Sequence, residues 1–93
     1  MMRDWIVSAD DRTGAFEVAA LLATRDSPVR VDVDVVGIGS AVVDLRTRAM
    51  APDSAAAAVA AVPEARWRAH KIDSTLRGNW VSEIRALGRR AVV

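Results

Sequence analysis

The chain has 93 residues, and its 13 lysine and arginine residues nearly balance its 12 aspartate and glutamate residues. This balance argues against a nucleic-acid surface. The lack of cysteine and the single histidine exclude thiolate and multi-histidine metal sites, so we expect no metal ligands. The length allows one small domain. No apolar run is long enough to span a membrane, and the amino terminus has no apolar core of a signal peptide, which predicts a soluble, cytoplasmic protein.

The first predicted elements are a strand, a polar turn and a helix. Residues 5–9 are apolar and predict a buried strand, followed by a turn over residues 10–14. The helix predicted over residues 15–23 places four apolar side chains at helical spacing: Phe16, Ala19, Ala20 and Ala23. Asp11 or Thr13 can cap this helix. Because one cap does not need two adjacent aspartates, we interpret Asp10 and Asp11 as part of a site.

Two more strands are predicted in the middle of the chain. Pro28 ends the first helix, and valines at positions 29, 31, 33 and 35 then alternate with polar residues. That alternation predicts a strand with one wet face. Residues 37–40 form a turn that lacks the third glycine of a dinucleotide-binding fingerprint. Residues 41–45 predict another buried strand, which leads into the polar segment 46–48.

The last third of the sequence repeats the alternation of helix and strand. Pro52 opens an alanine-rich helix over residues 54–62, and Pro63 ends it. Residues 66–72 predict a strand with Trp67 and Ala69 on one face. Residues 80–87 predict a helix that ends at Gly88, and residues 89–93 begin another strand. We expect the three tryptophans to lie in the core: Trp5, Trp67 and Trp80.

The alternation of strands and helices predicts an α/β fold. We expect a mainly parallel sheet with flanking helices in three layers, incomplete at the carboxyl end of the chain. Ligands of such sheets bind beyond the carboxyl ends of the strands. This topology gathers eight polar side chains on one edge: Asp10, Asp11, Arg46, Arg48, Lys71, Asp73, Ser74 and Arg77. Arginine suits an anionic group and aspartate suits hydroxyls, so this set predicts a ligand that has both.

The stretch from His70 to Trp80 carries most of this chemistry. Glycine lets the backbone approach a ligand closely, and the start of the following helix offers unpaired N–H groups. The alternative is an ordinary capped turn with solvated charges, and this stretch alone does not separate the two interpretations. We interpret His70 as a strand residue with a local partner rather than as a catalyst.

Three segments of the sequence are similar to motifs of one family. Residues 9–15 resemble the Ala-Asp-Asp-x-Thr-Gly-Ala opening of the four-carbon acid sugar kinases. Residues 44–48 resemble the Asp-x-x-Ser/Thr-Arg segment of that family, and residues 71–79 resemble its most specific signature almost residue for residue. The resemblance extends over essentially the whole chain, residues 1–93, as the first part of an amino-terminal substrate-binding domain.

The resemblance implies a function and a set of site residues. Family members use ATP and Mg²⁺ to phosphorylate small sugar acids such as erythronate or threonate, and they bind the nucleotide in a carboxyl-terminal domain that this chain lacks. The substrate contacts implied are Asp10, Asp11, Arg48, Lys71, Asp73, Ser74 and Arg77. We assign Arg48 and Arg77 to the carboxylate of the sugar acid and Asp11 and Asp73 to its hydroxyls. Asp11 is also the candidate catalytic carboxylate.

The sequence leaves the function of the isolated chain open. We expect it to be the substrate-binding portion of a kinase, inactive alone, with a small sugar acid and a separately encoded nucleotide-binding half as partners, and without nucleic-acid or membrane partners. The alternatives are a non-catalytic sugar-acid-binding or interaction module and a non-functional remnant of a split kinase gene. A downstream reading frame that encodes the nucleotide-binding half would favour the kinase.

Overall fold

The computed structural model describes residues 3–88. Strands and helices alternate along most of this range. In chain order they are β1 (Arg3–Ala9), α1 (Arg12–Leu22), β2 (Val31–Val33), β3 (Ala41–Asp44), α2 (Pro52–Ala60), β4 (Ala65–Lys71) and α3 (Trp80–Leu87). The strand predicted over residues 89–93 lies outside the described residues.

The four strands form one parallel sheet in the order β2-β3-β1-β4. This confirms the prediction of an α/β fold built on a parallel sheet. Ala9, the last residue of β1, is in register with Asp44 on one side and Lys71 on the other. The polar segments that follow these three strands therefore begin side by side at one edge of the sheet.

Helices lie on both faces of the sheet, because alternate residues of each strand point to opposite faces. On one face Ile6 and Val43 pack with Val59 and Val62, at the end of α2. On the other face Ala9 and Val42 pack with Ala15 and Ala19 of α1. Helix α3 packs against α2, on the first of these faces. Burial of such aliphatic side chains contributes roughly 1.5–3 kcal/mol each and holds the strand ends in fixed positions.

The helix ends follow the capping signals of the sequence. Asp11 is the N-cap of α1, and its Oδ1 accepts a hydrogen bond from the Gly14 N–H at 2.8 Å. Pro52 occupies the first turn of α2, where its missing N–H has no intrahelical partner to lose. Gly88 ends α3 in the left-handed conformation, with φ of 67°. The predicted caps at Asp11 and Gly88 are thus confirmed.

Two predictions about the second strand and the first helix were wrong in part. Only residues 31–33 of the alternating valine segment form a strand, which ends where Asp34 adopts a left-handed φ of 65°. Helix α1 turns Ala15 and Ala19 toward the sheet, because small side chains allow a helix to approach closely. Phe16 consequently points outward and is 56% exposed, and Ala20 is exposed as well.

The prediction that Trp67 lies in the core was also wrong. Trp67 is 76% exposed, whereas Trp5 and Trp80 are partly buried. The reason is its place on β4, which is one of the two edge strands of the sheet within residues 3–88. Helix α1 packs mainly against β3 and β1 and leaves this part of β4 uncovered.

Within residues 3–88, no helix has both the length and the apolar character that crossing a membrane requires.

Candidate functional site

A pocket of about 220 Å³ lies at the carboxyl ends of β1 and β4. We call it the strand-end pocket. It is lined by Asp10, Asp11, Thr13, Gly14, Glu17, Arg48, Lys71, Asp73, Ser74 and Arg77. The fold therefore brings together seven of the eight side chains that the topology predicted at this edge. The eighth, Arg46, lies in a neighbouring, more open cleft and is 3.6 Å from Asp34.

Arg48 is surrounded by three carboxylates of the strand-end pocket. Its Nε and Nη2 donate to the two carboxylate oxygens of Asp10, at 3.2 and 3.3 Å. Its Nη1 lies 3.0 Å from Asp11 Oδ2, and its Nη2 also donates to Asp73 Oδ1 at 3.2 Å. The hydrogen bonds with Asp10 raise the pKa of the Arg48 guanidinium, and the charges of the three aspartates add to this effect. Arg48 thus joins the ends of all three polar segments.

Asp73 organises the loop between β4 and α3. Its Oδ2 accepts from the backbone N–H groups of Thr75 and Arg77, both at 3.1 Å, and from the Thr75 hydroxyl. Arg77 adds a bidentate pair, with Nε and Nη2 each 2.9 Å from a carboxylate oxygen. The hydrogen bond from the Arg77 side chain is the main reason that the pKa of Asp73 lies far below its usual range. With Arg48 also bound, the Asp73 carboxylate has little capacity left for a ligand.

Arg77 is the most accessible cation of the strand-end pocket. Its side chain is 66% exposed, and its hydrogen bonds to Asp73 use Nε and Nη2. The guanidinium can therefore offer Nη1 to an anion while Asp73 holds it in place. Asp73 also raises the pKa of Arg77, so the charge persists at any physiological pH. An arginine that is fixed by one carboxylate and still has N–H groups to donate is well suited to bind a ligand carboxylate or phosphate.

Asp11 and Lys71 are also partly open charges of the strand-end pocket. One oxygen of Asp11 caps α1 and the other faces Arg48, yet the side chain remains 27% exposed. The Lys71 ammonium donates to the Ile72 carbonyl at 2.6 Å and lies 3.9 Å from Glu17. By contrast, Asp10 is almost fully buried and both its oxygens contact Arg48. Asp11 is therefore the aspartate best placed to meet a ligand hydroxyl.

The backbone brings the loops of the site unusually close together. Gly78 has φ of 83°, and a Cβ placed on it would lie 3.1 Å from Asp10 Oδ2 and 3.4 Å from Arg48 Cγ. Only glycine accommodates both the left-handed backbone and this close approach. The preceding loop residue Leu76 is also left-handed, with φ of 59°. Non-glycine residues adopt this conformation at a cost in free energy, and residues strained in this way tend to cluster at functional sites.

Three lining residues escaped the sequence analysis as site candidates: Thr13, Gly14 and Glu17. A helical period was the signal that could have found them. Residues three and four apart lie on one side of a helix, so Thr13 and Glu17 share the side of α1 that follows Asp10. The sequence predicts a capping role for Thr13 and places it in the family-like motif of residues 9–15, but indicates no contact with a ligand. Gly14 matters because a Cβ there would lie 3.0 Å from Asp11 Oδ1 and 3.3 Å from Lys71 Cγ.

The interpretation of His70 as a strand residue with local partners is confirmed. Its Nδ1 is 2.7 Å from Ser8 Oγ, and its Nε2 is 2.5 Å from Glu83 Oε2. The imidazole is almost fully buried, beneath the strand-end pocket rather than in its lining. Within residues 3–88, no group of three histidine or carboxylate side chains is arranged to hold a metal ion.

Comparison with protein-family models places these features in context. The model of the sugar-binding N-terminal domain matches the chain over residues 5–92. No curated protein and no solved structure gave a match. The matched range includes every residue of the strand-end pocket.

Proposed function

Because the chain belongs to the sugar-binding N-terminal domain family, we propose that the strand-end pocket binds a four-carbon sugar acid such as erythronate or threonate. We further propose that the chain is the substrate-binding portion of an ATP-dependent kinase. A single observation gives the strongest support for a sugar acid as the ligand. The accessible, fixed guanidinium of Arg77 and the partly open carboxylate of Asp11 line the same small pocket.

The chemistry of these groups matches the two halves of a sugar acid. Arg77 binds the ligand carboxylate through Nη1, and Lys71 adds positive charge beside it. Asp11 accepts a hydrogen bond from a ligand hydroxyl, and the hydroxyls of Thr13 and Ser74 provide further partners. The pocket is lined by four carboxylates and three cations. A neutral sugar would leave the free edge of Arg77 without an anionic partner, whereas the carboxylate of a sugar acid can accept hydrogen bonds from it.

The proposed reaction transfers a phosphoryl group to a hydroxyl of the bound sugar acid. ATP with Mg²⁺ would supply that group. Phosphoryl transfer depends mainly on positioning, with a carboxylate near the attacking hydroxyl, and Asp11 is our candidate for that carboxylate. Arg48 holds Asp11 by an ion pair of 3.0 Å and so fixes its direction. The strand-end pocket is small for a nucleotide, so we assign the ATP site to protein outside residues 3–88.

Calorimetric titration of the chain with erythronate and threonate tests the binding proposal. Two control ligands test the recognition of the carboxylate and of the hydroxyls separately. Erythritol keeps the hydroxyls but has no carboxylate, and butyrate keeps a carboxylate but has no hydroxyls. We expect at least one sugar acid to bind about tenfold or more tightly than either control. Equal binding of butyrate would show that the hydroxyls are not recognised. Failure of every sugar acid to bind would refute the proposal.

A second experiment tests the kinase proposal. We expect the chain alone to show no ATP-dependent phosphorylation of erythronate, and activity to appear when a nucleotide-binding half encoded next to it is supplied. Asp11→Asn should abolish that activity while erythronate still binds, because the amide keeps the shape but cannot accept a proton. Binding without turnover in the presence of that half would instead favour a non-catalytic sugar-acid-binding module.

A further inference from the structure

A second group of polar side chains lies beneath the strand-end pocket, closed off from solvent. Ser8, Thr47 and Glu83 are 0% exposed, and the His70 side chain is 1% exposed. Ser8 Oγ contacts His70 Nδ1 at 2.7 Å, His70 Nε2 contacts Glu83 Oε2, and Thr47 donates to Glu83 Oε1 at 3.0 Å. We call these four residues the buried network. Their burial excludes any direct contact with a ligand, so the serine and histidine cannot act as a catalytic pair.

The buried network connects the backbone segments that carry the strand-end pocket. Thr47 immediately precedes Arg48, and His70 immediately precedes Lys71. Ser8 lies on β1 in direct register with His70 on β4, two residues before Asp10. Glu83 lies on α3, which follows the loop that carries Asp73 and Arg77. One carboxylate therefore ties α3 to the turn after β3 and to the end of β4.

The turn that carries Arg48 is held from several sides. Arg46 has a left-handed φ of 57°, and its N–H donates to Asp44 Oδ1 at 2.9 Å. Asn79 Nδ2 donates to the carbonyls of Thr47 and Met50, at 3.1 and 2.7 Å. Two side chains of the segment after β3 reach the interior: Leu45, which lies in the apolar core, and Thr47, which meets Glu83. The backbone N–H of Arg48 donates to the Asp10 carbonyl at 3.1 Å, and the Thr47 hydroxyl adds an interior anchor directly beside it.

A carboxylate in the interior is expensive unless its oxygens are fully satisfied. Apolar residues of similar size would fill the space between α3 and the sheet at lower cost, so stability alone does not explain Glu83. Each of its oxygens has a partner on a different segment of the site. The arrangement favours a role in fixing geometry, as groups do that orient the residues in contact with a ligand.

We propose that Glu83, through Thr47 and His70, acts as a positioning residue that fixes Arg48 and Lys71 for sugar-acid binding. This inference rests on the proposed function. Loss of the Thr47–Glu83 hydrogen bond frees the turn after β3, which loosens Arg48 from Asp10, Asp11 and Asp73. The carboxylates of the pocket then lose their common partner, and the pocket loses its shape although no residue in contact with the ligand has changed.

A matched pair of substitutions at Thr47 tests the proposal. Thr47→Val keeps the shape of the side chain but removes the hydroxyl, whereas Thr47→Ser keeps the hydroxyl and removes a methyl group. Two quantities are measured for each variant of the full chain: the chemical shift and line width of the Arg48 Nε–H resonance, and the dissociation constant for erythronate. The resonance reports the Arg48–Asp10 hydrogen bond without any ligand. It therefore tests the positioning role even if erythronate fails to bind the parent chain and the proposed function is wrong.

We expect Thr47→Val to shift or broaden the Arg48 resonance and to weaken erythronate binding roughly three- to thirtyfold, and Thr47→Ser to leave both unchanged. Leu87→Ala is the stability control, because the Leu87 side chain packs from α3 onto the apolar core and, having no polar atom, takes part in no hydrogen bond of the buried network. It should lower the melting temperature and leave the Arg48 resonance in place. An unchanged resonance in Thr47→Val, or an equal shift in Leu87→Ala, overturns the proposal.

Asn79→Ala provides a second test should Thr47→Val fail to fold. Asn79 is only partly buried, and its removal takes away the side-chain hydrogen bonds to the Thr47 and Met50 carbonyls of the same turn. We expect the Arg48 resonance to shift in the same direction and by a smaller amount. No shift in this variant would show that the position of Arg48 does not depend on how firmly Thr47 is held, which also overturns the proposal.

Discussion

The two arginines of the strand-end pocket differ in what holds them. Arg48 contacts Asp10, Asp11 and Asp73, which follow two different strands, and its side chain is 27% exposed. Among residues 3–88, Arg77 forms an ion pair with Asp73 alone, within its own loop, and its side chain is 66% exposed. The same residue type thus serves two purposes. Arg48 holds the architecture of the site together, whereas Arg77 presents a fixed charge to a ligand.

Burial decides between these purposes. An exposed ion pair contributes about 0–1 kcal/mol, because water screens it and the long side chains lose freedom. Removing one partner of a buried pair costs several times more, since the remaining charge has no compensation. Water barely reaches two of the three carboxylates that Arg48 faces, those of Asp10 and Asp73. Substitutions of Arg48 should therefore change stability, and substitutions of Arg77 should change binding.

The largest expected effect follows Arg48→Ala. This change leaves the carboxylates of Asp10, Asp11 and Asp73 facing one another without the shared cation. We expect a loss of about 3 kcal/mol in the free energy of unfolding, the lower end of the range for breaking a buried pair. Urea denaturation followed by circular dichroism measures it. The matched control is Arg30→Ala, which removes an exposed pair with Asp32 and should cost less than about 1 kcal/mol.

The next effect, at Gly78, tests how tightly the loops must approach around Arg48. Gly78→Ala should destabilise the chain by about 1–2 kcal/mol for its left-handed backbone, with an added cost for the clash with Asp10 and Arg48. Gly39→Ala isolates that added cost, because Gly39 has φ of 84° and a Cβ there would meet nothing within 4 Å. Thermal melts of both variants make the comparison. Equal destabilisation would show that the close approach carries no energetic weight.

Arg77 provides the complementary prediction. Arg77→Ala should lower the stability by less than about 1 kcal/mol and weaken erythronate binding about tenfold, which corresponds to one charge-assisted hydrogen bond. Arg77→Lys should weaken binding too, since lysine cannot contact Asp73 bidentately and present a free edge at once. Calorimetry with both variants measures this. Binding as tight as that of the parent would identify Arg77 as a surface charge that only caps its loop.

Much of this arrangement could be predicted from the sequence, because it depends on local signals. Hydrophobic patterning indicated the strands and helices, and a parallel sheet necessarily brings the ends of its strands together. Asp11 and Gly88 were recognised as caps, since capping depends on a few neighbouring residues. The convergence of Asp10, Arg48 and Asp73 followed from topology without any knowledge of side-chain contacts.

What could not be predicted depends on contacts between distant segments. The sequence assigned Asp73 to ligand hydroxyls, but nothing in its local pattern revealed that Arg48 and Arg77 would both occupy its oxygens. The sequence around Glu83 does not indicate its burial, which depends on Thr47 and His70 from two other segments. Trp67 is of a residue type that is common in cores, but among residues 3–88 it lies on a part of β4 that no helix covers. The pairing of charged side chains and the covering of a strand by a helix are tertiary properties, and the periodicity of a sequence does not predict them.

The last and smallest prediction concerns pH and the carboxylate that both arginines share. Arg77, with help from Thr75, lowers the pKa of Asp73, so the folded state binds a proton at Asp73 less readily than an unperturbed aspartate of pKa about 3.9 does. The resulting stabilisation is present above about pH 4 and is lost as the pH falls below that value toward the folded-state pKa. In an NMR titration that follows the carboxyl carbons, the Asp73 carboxylate should therefore remain ionised at pH values at which ordinary aspartates are protonated. Arg77→Ala should raise the pKa of Asp73 only in part, because Arg48 and Thr75 still bind it. Titration of Asp73 near pH 3.9 in the parent chain would show that the pair with Arg77 is not formed in solution.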